Sequence, residues 1–273
     1  MLMTIMLAAI AAQALASPPA PAPTVEPSPA APSDEQRIAQ SSSVGQILYA
    51  FDRAAWVSTD ALRATAPKQQ LTGSGGYIVE PIDAQTLHVT YYHGDTAHAQ
   101  AFFVADVRNG KVEQKTLLDQ PVALTPRQLT LAKARDIAAQ RAKERAYKPC
   151  TPSPFNTVVL PSRSGGPIAV YLLSAQQDAG TYPLGGNFRV IIGPDGQVLA
   201  SRPYSVGCIN MTAPKLPAGA KPVGFVVNDL LDPVPTEIHV FASYSMHMPI
   251  FVTTPDHRLW KVQGAAITPA DRK

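Results

Sequence analysis

Apolar positions divide the chain into stretches of two periods. Val44, Ile47, Leu48, Phe51 and Ala55 recur every three or four residues, with Gln46, Asp52 and Arg53 on the other side. That spacing turns one stripe toward a core, so residues 35–64 are predicted as an amphipathic helix. Ser41-Ser42-Ser43 is the point where it could break, and Pro67 ends it. Trp56 and Asp60 near its end could mark a site, but an aromatic at helical spacing ordinarily belongs to a core. Beyond the helix the period falls to two, and residues 77–79, 87–92, 101–107 and 111–118 read as an antiparallel set of strands. Asn109-Gly110 between the last two is a tight hairpin signal. The link Gly73-Ser74-Gly75-Gly76 has no Lys-Ser/Thr after it and leads into a strand, which excludes a phosphate loop.

A second helix is predicted over 125–147. Thr125 can cap it, Pro126 occupies the first helical position where its missing N–H costs nothing, and Gln128 completes a capping-box spacing. Lys143, Arg145 and Lys148 gather at its C-terminal end, where cations suit the dipole, and Pro149 stops it. Its apolar face is mainly alanine with Leu131 and Ile137, suited to close packing on a sheet. A second strand series follows at 157–160, 168–173, 188–192 and 198–202, with a Pro194-Asp195-Gly196 turn in the last connection. The fold class is therefore α+β: two amphipathic helices, each followed by an antiparallel β meander, without regular βαβ alternation and without an internal repeat.

The densest apolar pattern lies in residues 224–264. Val223, Phe225, Val226 and Val227 predict a buried strand closing at Asn228-Asp229. Asp232-Pro233-Val234-Pro235 can be neither regular helix nor central strand. Thr236 stands where a helix N-cap would, with Glu237 in the first turn. Ile238, Phe241, Ala242 and Ser245 share a helical face, while Ile238, Val240, Ala242 and Tyr244 alternate as a strand would; the helix is preferred. Residues 249–252 and 259–262 form a hairpin around Pro255-Asp256. Asp229, Asp232, Glu237 and His239 crowd the loop that opens the helix, which makes them the candidate ligand-binding surface. The same residues can instead cap backbone donors around the two prolines.

Composition narrows the function. The chain has 273 residues, a net charge of +3 and 16% charged side chains, enough length for a real core but no basic stripe, so nucleic acid is not an expected partner. Residues 1–16 carry no charge, hold an apolar run and end in Ala14-Leu15-Ala16, the pattern of a cleavable secretory signal. No cysteine follows the cleavage point to carry a lipid, and no membrane span is expected once the signal is removed. Residues 17–33 contain seven prolines and form a Pro/Ala-rich linker. The remainder reads as 34–123, an N-terminal helix with β hairpins, and 124–266, a helix with a β series, either separate or joined in one compact domain. Cys150 and Cys208 are the only cysteines; in an oxidising compartment they predict a disulfide closing a 58-residue loop.

The segments LYAFDRAAWVSTDAL, PFNTVVLP, GGNFRVIIGPDG and DPVPTEIHVFAS resemble those of exported proteobacterial proteins of unassigned function, which implies a periplasmic or secreted location. Residues 224–262 also resemble the metal-site region of the MPN/JAMM zinc isopeptidases, in which a strand ends in His-x-His-Pro and Ser-x-x-Asp opens a helix. Here Asn228 and Leu230 stand at the two histidine positions and His239 at the aspartate, so the resemblance implies a degenerate site and its hydrolysis is not carried over. His239, His247 and His257, with Met246 and Met248, raise a metal hypothesis, but spacings of eight and ten do not place them on adjacent helical turns. His88, His93 and His98 sit on or beside strands. No G-x-S-x-G elbow presents a serine. No cofactor or metal is expected. The expected function is a non-catalytic periplasmic or secreted module that binds a ligand or envelope component; the alternative is a hydrolase, metal-dependent with a degenerate site if the MPN/JAMM resemblance holds.

Overall fold

Ser33 opens the first helix with a reciprocal cap: its hydroxyl accepts from the Gln36 N–H and the Gln36 side chain accepts from the Ser33 N–H. The helix, α1, runs without interruption from Asp34 to Thr65 in the computed structural model, which describes residues 31–162, 165–178, 180–212, 217, 219 and 222–271. The expected signal, residues 1–16, and most of the linker lie outside the described residues. The serine triplet does not break α1, because Ser41 is small enough to be buried on its inner face beside Leu48, Phe51 and Ala55. A short helix, α2 (Lys68–Leu71), follows.

Strands β1 (Ser74–Pro81), β2 (Thr86–His93), β3 (Gln100–Arg108) and β4 (Lys111–Ala123) form an antiparallel sheet in chain order. Asn109 and Gly110 both take positive φ, 48° and 73°, as a two-residue hairpin turn requires. Strand β4 runs five residues past its expected end and tolerates Pro121 because it is an edge strand. Helix α3 (Pro126–Glu144) has the predicted Thr125–Gln128 capping box. After it, β5 (Asn156–Leu160), β6 (Ile168–Leu173), β8 (Phe188–Ile192) and β9 (Val198–Pro203) make a second antiparallel sheet, and β7 (Thr181–Pro183) pairs with β10 (Asn210–Thr212).

Alternation within these strands explains how two helices share them. Val79, Val89, Tyr91, Phe103, Val158 and Tyr171 point into one apolar cluster with Leu48, Phe51 and Ala55 of α1. Their neighbours Ile78, Tyr92, Val159, Val170 and Leu172 point into a second cluster, with Leu131, Ala134 and Ala138 of α3. The alanine face predicted for α3 is thus its sheet-facing side.

The C-terminal part departs from a plain meander. Strand β11 (Phe225–Asn228) pairs in parallel with β12 (Ile250–Thr253) through the crossover helix α4 (Glu237–Met246), and β13 (Leu259–Gln263) and β14 (Ala266–Pro269) complete the sheet. The α+β class stands, with a third, mixed sheet added. The strand expected over 223–227 is not buried throughout. Val223 and Val226 are exposed, Phe225 is half-buried and Val227 is covered, because β11 is an edge strand and its residues alternate between core and solvent. Trp56 likewise departs from its expected core position and is 48% exposed. Cys150 and Cys208 form the predicted disulfide, with Cα atoms 5.3 Å apart.

Candidate functional site

The loop between β11 and α4 brings Asp229, Asp232, Glu237 and His239 together, but beneath the surface: all four are buried. A buried ionisable group needs partners, and most of these partners come from the second sheet. Glu237, in the first turn of α4, accepts through Oε1 from the Tyr171 hydroxyl at 2.8 Å, from Arg189 at 2.9 Å and from the Tyr204 hydroxyl. Burial and the Glu237 charge push both tyrosines up, so they stay protonated as donors. Burial opposes the Arg189 charge, but Tyr204 and Glu237 together hold it above its ordinary value. Asp232 receives both terminal nitrogens of Arg202, whose guanidinium lies 4.6 Å from the Tyr204 ring centroid. The second sheet is therefore joined to α4 and the loop before it by a network of two half-buried arginines, two buried tyrosines and two buried carboxylates.

Asp229 and His239 do a different job. The Oδ1 atom of Asp229 accepts from the backbone N–H groups of Leu231 and Asp232 at 2.9 and 3.1 Å, which fixes the turn into the prolines. Its Oδ2 is buried without a hydrogen-bond partner, 4.0 Å from Nδ1 of His239. The Thr236 N–H donates to that same Nδ1 at 3.0 Å, so the ring proton sits on Nε2. Thr236 Oγ1 also approaches Nδ1, at 3.1 Å. In a hydrolytic triad the hydroxyl and the carboxylate address opposite ring nitrogens. Here both approach Nδ1, and the arrangement closes a helix end rather than relaying a proton. Burial pushes Asp229 up and His239 down, in each case disfavouring the charged form.

A cleft of about 230 Å³ opens over this pair. One wall is the loop carrying Tyr204, Val206 and Cys208; the other is Val227, Leu230 and Ile238. The disulfide anchors the first wall to Cys150, in the connection between α3 and β5. Val206 and Leu230 stand at the rim, 72% and 65% exposed. Beside the cleft, Phe225 and Asp229 donate to Pro249 and Thr253 of the neighbouring strand, so the intervening Val226 and Asn228 turn their backbone groups outward.

The remaining histidines are dispersed. His88 bonds Asp106, His98 bonds Asp95, His93 stacks on Phe102, His247 takes the left-handed cap of α4 and His257 lies in the turn after β12. Among the described residues, no three His, Cys, Asp or Glu side chains gather as a metal cage. Arg189, Arg202, Tyr171 and Tyr204, the partners that decide what the candidate loop can do, were not singled out from sequence. Their one signal is an arginine in the interior of a strand otherwise made of apolar residues, at Arg189. No helix among the described residues is long and apolar enough to cross a membrane. No family model, no curated protein and no solved structure matches this chain.

Proposed function

We propose that the protein is an exported, non-catalytic binding module that holds an extended segment of an envelope component against β11 and the adjoining cleft. The observation that carries this reading is the outward-turned edge of β11, where Val226 is 70% exposed and the next residue, Val227, lines the cleft. A strand edge of this kind offers main-chain hydrogen bonds for affinity and a pocket for an alternate side chain. The buried carboxylates behind it support the same reading, because Asp232 and Glu237 are already paired with arginines and His239 is engaged as a cap. Export is supported by the signal-like residues 1–16 and by the disulfide.

The test places a photo-crosslinking residue at position 226 or 230 of the full chain in its own cell, with position 115 on the first sheet as control. Discrete adducts at 226 and 230, absent at 115, are expected. Equal labelling at all three positions would overturn the reading. So would ester or isopeptide hydrolysis by the purified protein that is lost in His239→Ala.

A further inference from the structure

A second concavity lies apart from the Asp229 cleft. Trp56, Thr59, Asp60 and Arg63 fall at i, i+3, i+4 and i+7 of α1 and so share one helical face. They line a groove of about 230 Å³ whose other side is Tyr77 of β1 and the segment Pro154, Phe155 and Asn156. Half of the Trp56 surface is in solvent, whereas the other tryptophan, Trp260, is 4% exposed and its indole N–H bonds Thr254.

The floor of the groove is held in place. The Asn156 amide nitrogen donates to Asp52, and its oxygen accepts from the Tyr77 hydroxyl at 3.1 Å. Thr59 Oγ1 lies 2.7 Å from the Tyr91 hydroxyl and donates to Ala55 at 2.7 Å. The rim, by contrast, is loosely engaged: Asp60 and Arg63 are 3.9 Å apart with both side chains about two-thirds exposed, an ion pair worth little in water. A half-exposed indole therefore stands beside an acceptor and a multiple donor that a ligand can recruit, with the Asn156 amide fixed between helix and sheet.

We propose that this groove is a carbohydrate-binding site, in which one pyranose ring stacks its C–H face on Trp56 and directs its hydroxyls to Asp60 and Arg63. The chemistry matches on each side: a flat apolar face for the indole, and vicinal hydroxyls that both donate to a carboxylate and accept from a guanidinium. A cationic ligand meets Arg63 as well as Asp60, so the rim gives it no net attraction. A proline-rich segment, whose prolines carry no N–H, offers Asp60 fewer donors than the several hydroxyls of a sugar. The volume, below the about 300–1,000 Å³ of drug-sized ligand pockets, suits a single ring.

The test is a titration of the full chain, followed by tryptophan emission and by saturation-transfer NMR. The probes are methyl glucoside, methyl mannoside, N-acetylglucosamine and its β-1,4 dimer. At least one probe is expected to change the Trp56 emission, with its C–H face receiving the saturation. Trp56→Ala is expected to weaken that binding roughly tenfold or more, and Asp60→Asn to weaken it by a smaller factor. Because half of Trp56 is buried, Trp56→Ala should also lower the urea midpoint, so its titration is read without denaturant on protein whose circular dichroism matches wild type; Asp60→Asn, at an exposed position, weakens binding without that cost. Silence of all four sugars, or binding unchanged in Trp56→Ala, overturns the proposal. Binding in the groove by butylammonium or by a blocked Ala-Pro-Pro-Ala-Pro peptide, with the sugars silent, reassigns the site to that chemistry and overturns it equally.

Discussion

Val240 of α4 packs directly on Gly45 of α1: a Cβ placed on Gly45 would lie 2.5 Å from the Val240 Cβ and 2.7 Å from the Glu237 carbonyl oxygen. The glycine is what lets the two helices approach, and the approach brings the Glu237 network up to α1. Alanine would raise the intrinsic helix propensity of α1 by about 1 kcal/mol, yet overpacking at this site costs about 1–3 kcal/mol or more. Gly45→Ala is therefore expected to lower stability, and Gly45→Val to lower it further. In a urea-denaturation double-mutant cycle, Val240→Ala, which removes one clashing Cγ, should recover part of the Gly45→Val loss. Additive effects would show that the helices do not touch there.

Reduction of the Cys150–Cys208 bond releases a 58-residue loop. Chain entropy assigns this crosslink about 4 kcal/mol of stability. Cys150→Ser with Cys208→Ser should accordingly lower the unfolding free energy obtained from urea denaturation by an amount of that order, and the wild-type protein should show the same loss in the presence of reductant. Thiol titration of the denatured, unreduced protein is expected to find no free thiol; two free thiols would reject the crosslink.

Glu237→Ala would leave Tyr171, Tyr204 and Arg189 without their shared acceptor in a buried setting. Removing one partner of a buried ion pair costs about 3–5 kcal/mol, so this substitution is expected to be among the most damaging in the chain. Tyr171→Phe removes one donor and should cost about 1 kcal/mol. Circular-dichroism melts of the two variants give the comparison, and similar small losses in both would show that the network carries little stability.

The pH dependence of stability should carry a signature of Asp52. Burial raises this carboxyl from 3.8 to about 7, against the lowering effects of the Asn156 hydrogen bond and Arg53. Between those values the folded chain holds a proton that the unfolded chain has released, so its contribution to stability falls as pH rises through the window and is flat above it. His239 acts with the opposite sign. Its pKa is lowered by burial, so stability is lost as pH falls below the ordinary value of 6.5. Asp52→Asn keeps an acceptor for Asn156 and removes only the first slope. Urea midpoints from pH 5 to pH 8 should fall less, or rise more, in the variant than in the wild type; parallel profiles would contradict a raised Asp52.

Local signals carried most of the secondary structure. The Thr125–Gln128 box, Pro126 and the lysine-rich end mark α3, and Asn109-Gly110 fixes the β3–β4 hairpin, because each acts through residues within a few positions of one another. The same reasoning failed at Ser41, where a buried helix face accepts a small hydroxyl residue, and at Trp56 and Val226, where periodicity cannot say which apolar side chains a neighbouring element will cover. The candidate quartet shows the limit most clearly. Its crowding in one loop was legible, but not that Arg189 and Arg202 arrive from a different sheet to neutralise two of its members.

What the sequence determined by itself is the order of the three longer helices and of the main strands, the α+β class and the pairing of its two cysteines, since caps, turns, hydrophobic period and a count of two are local or combinatorial facts; α2, β7, β10 and β14 are too short to carry such a signal. Only the tertiary structure decided that α4 makes a parallel crossover, that the carboxylates of the acidic loop are buried rather than open, and that a half-exposed indole shares a groove with a clamped asparagine. Those outcomes depend on which surfaces meet across tens to more than a hundred residues of chain, as Asp52 and Asn156 or Asp34 and Arg258 do, and burial and charge are settled only where such surfaces come together.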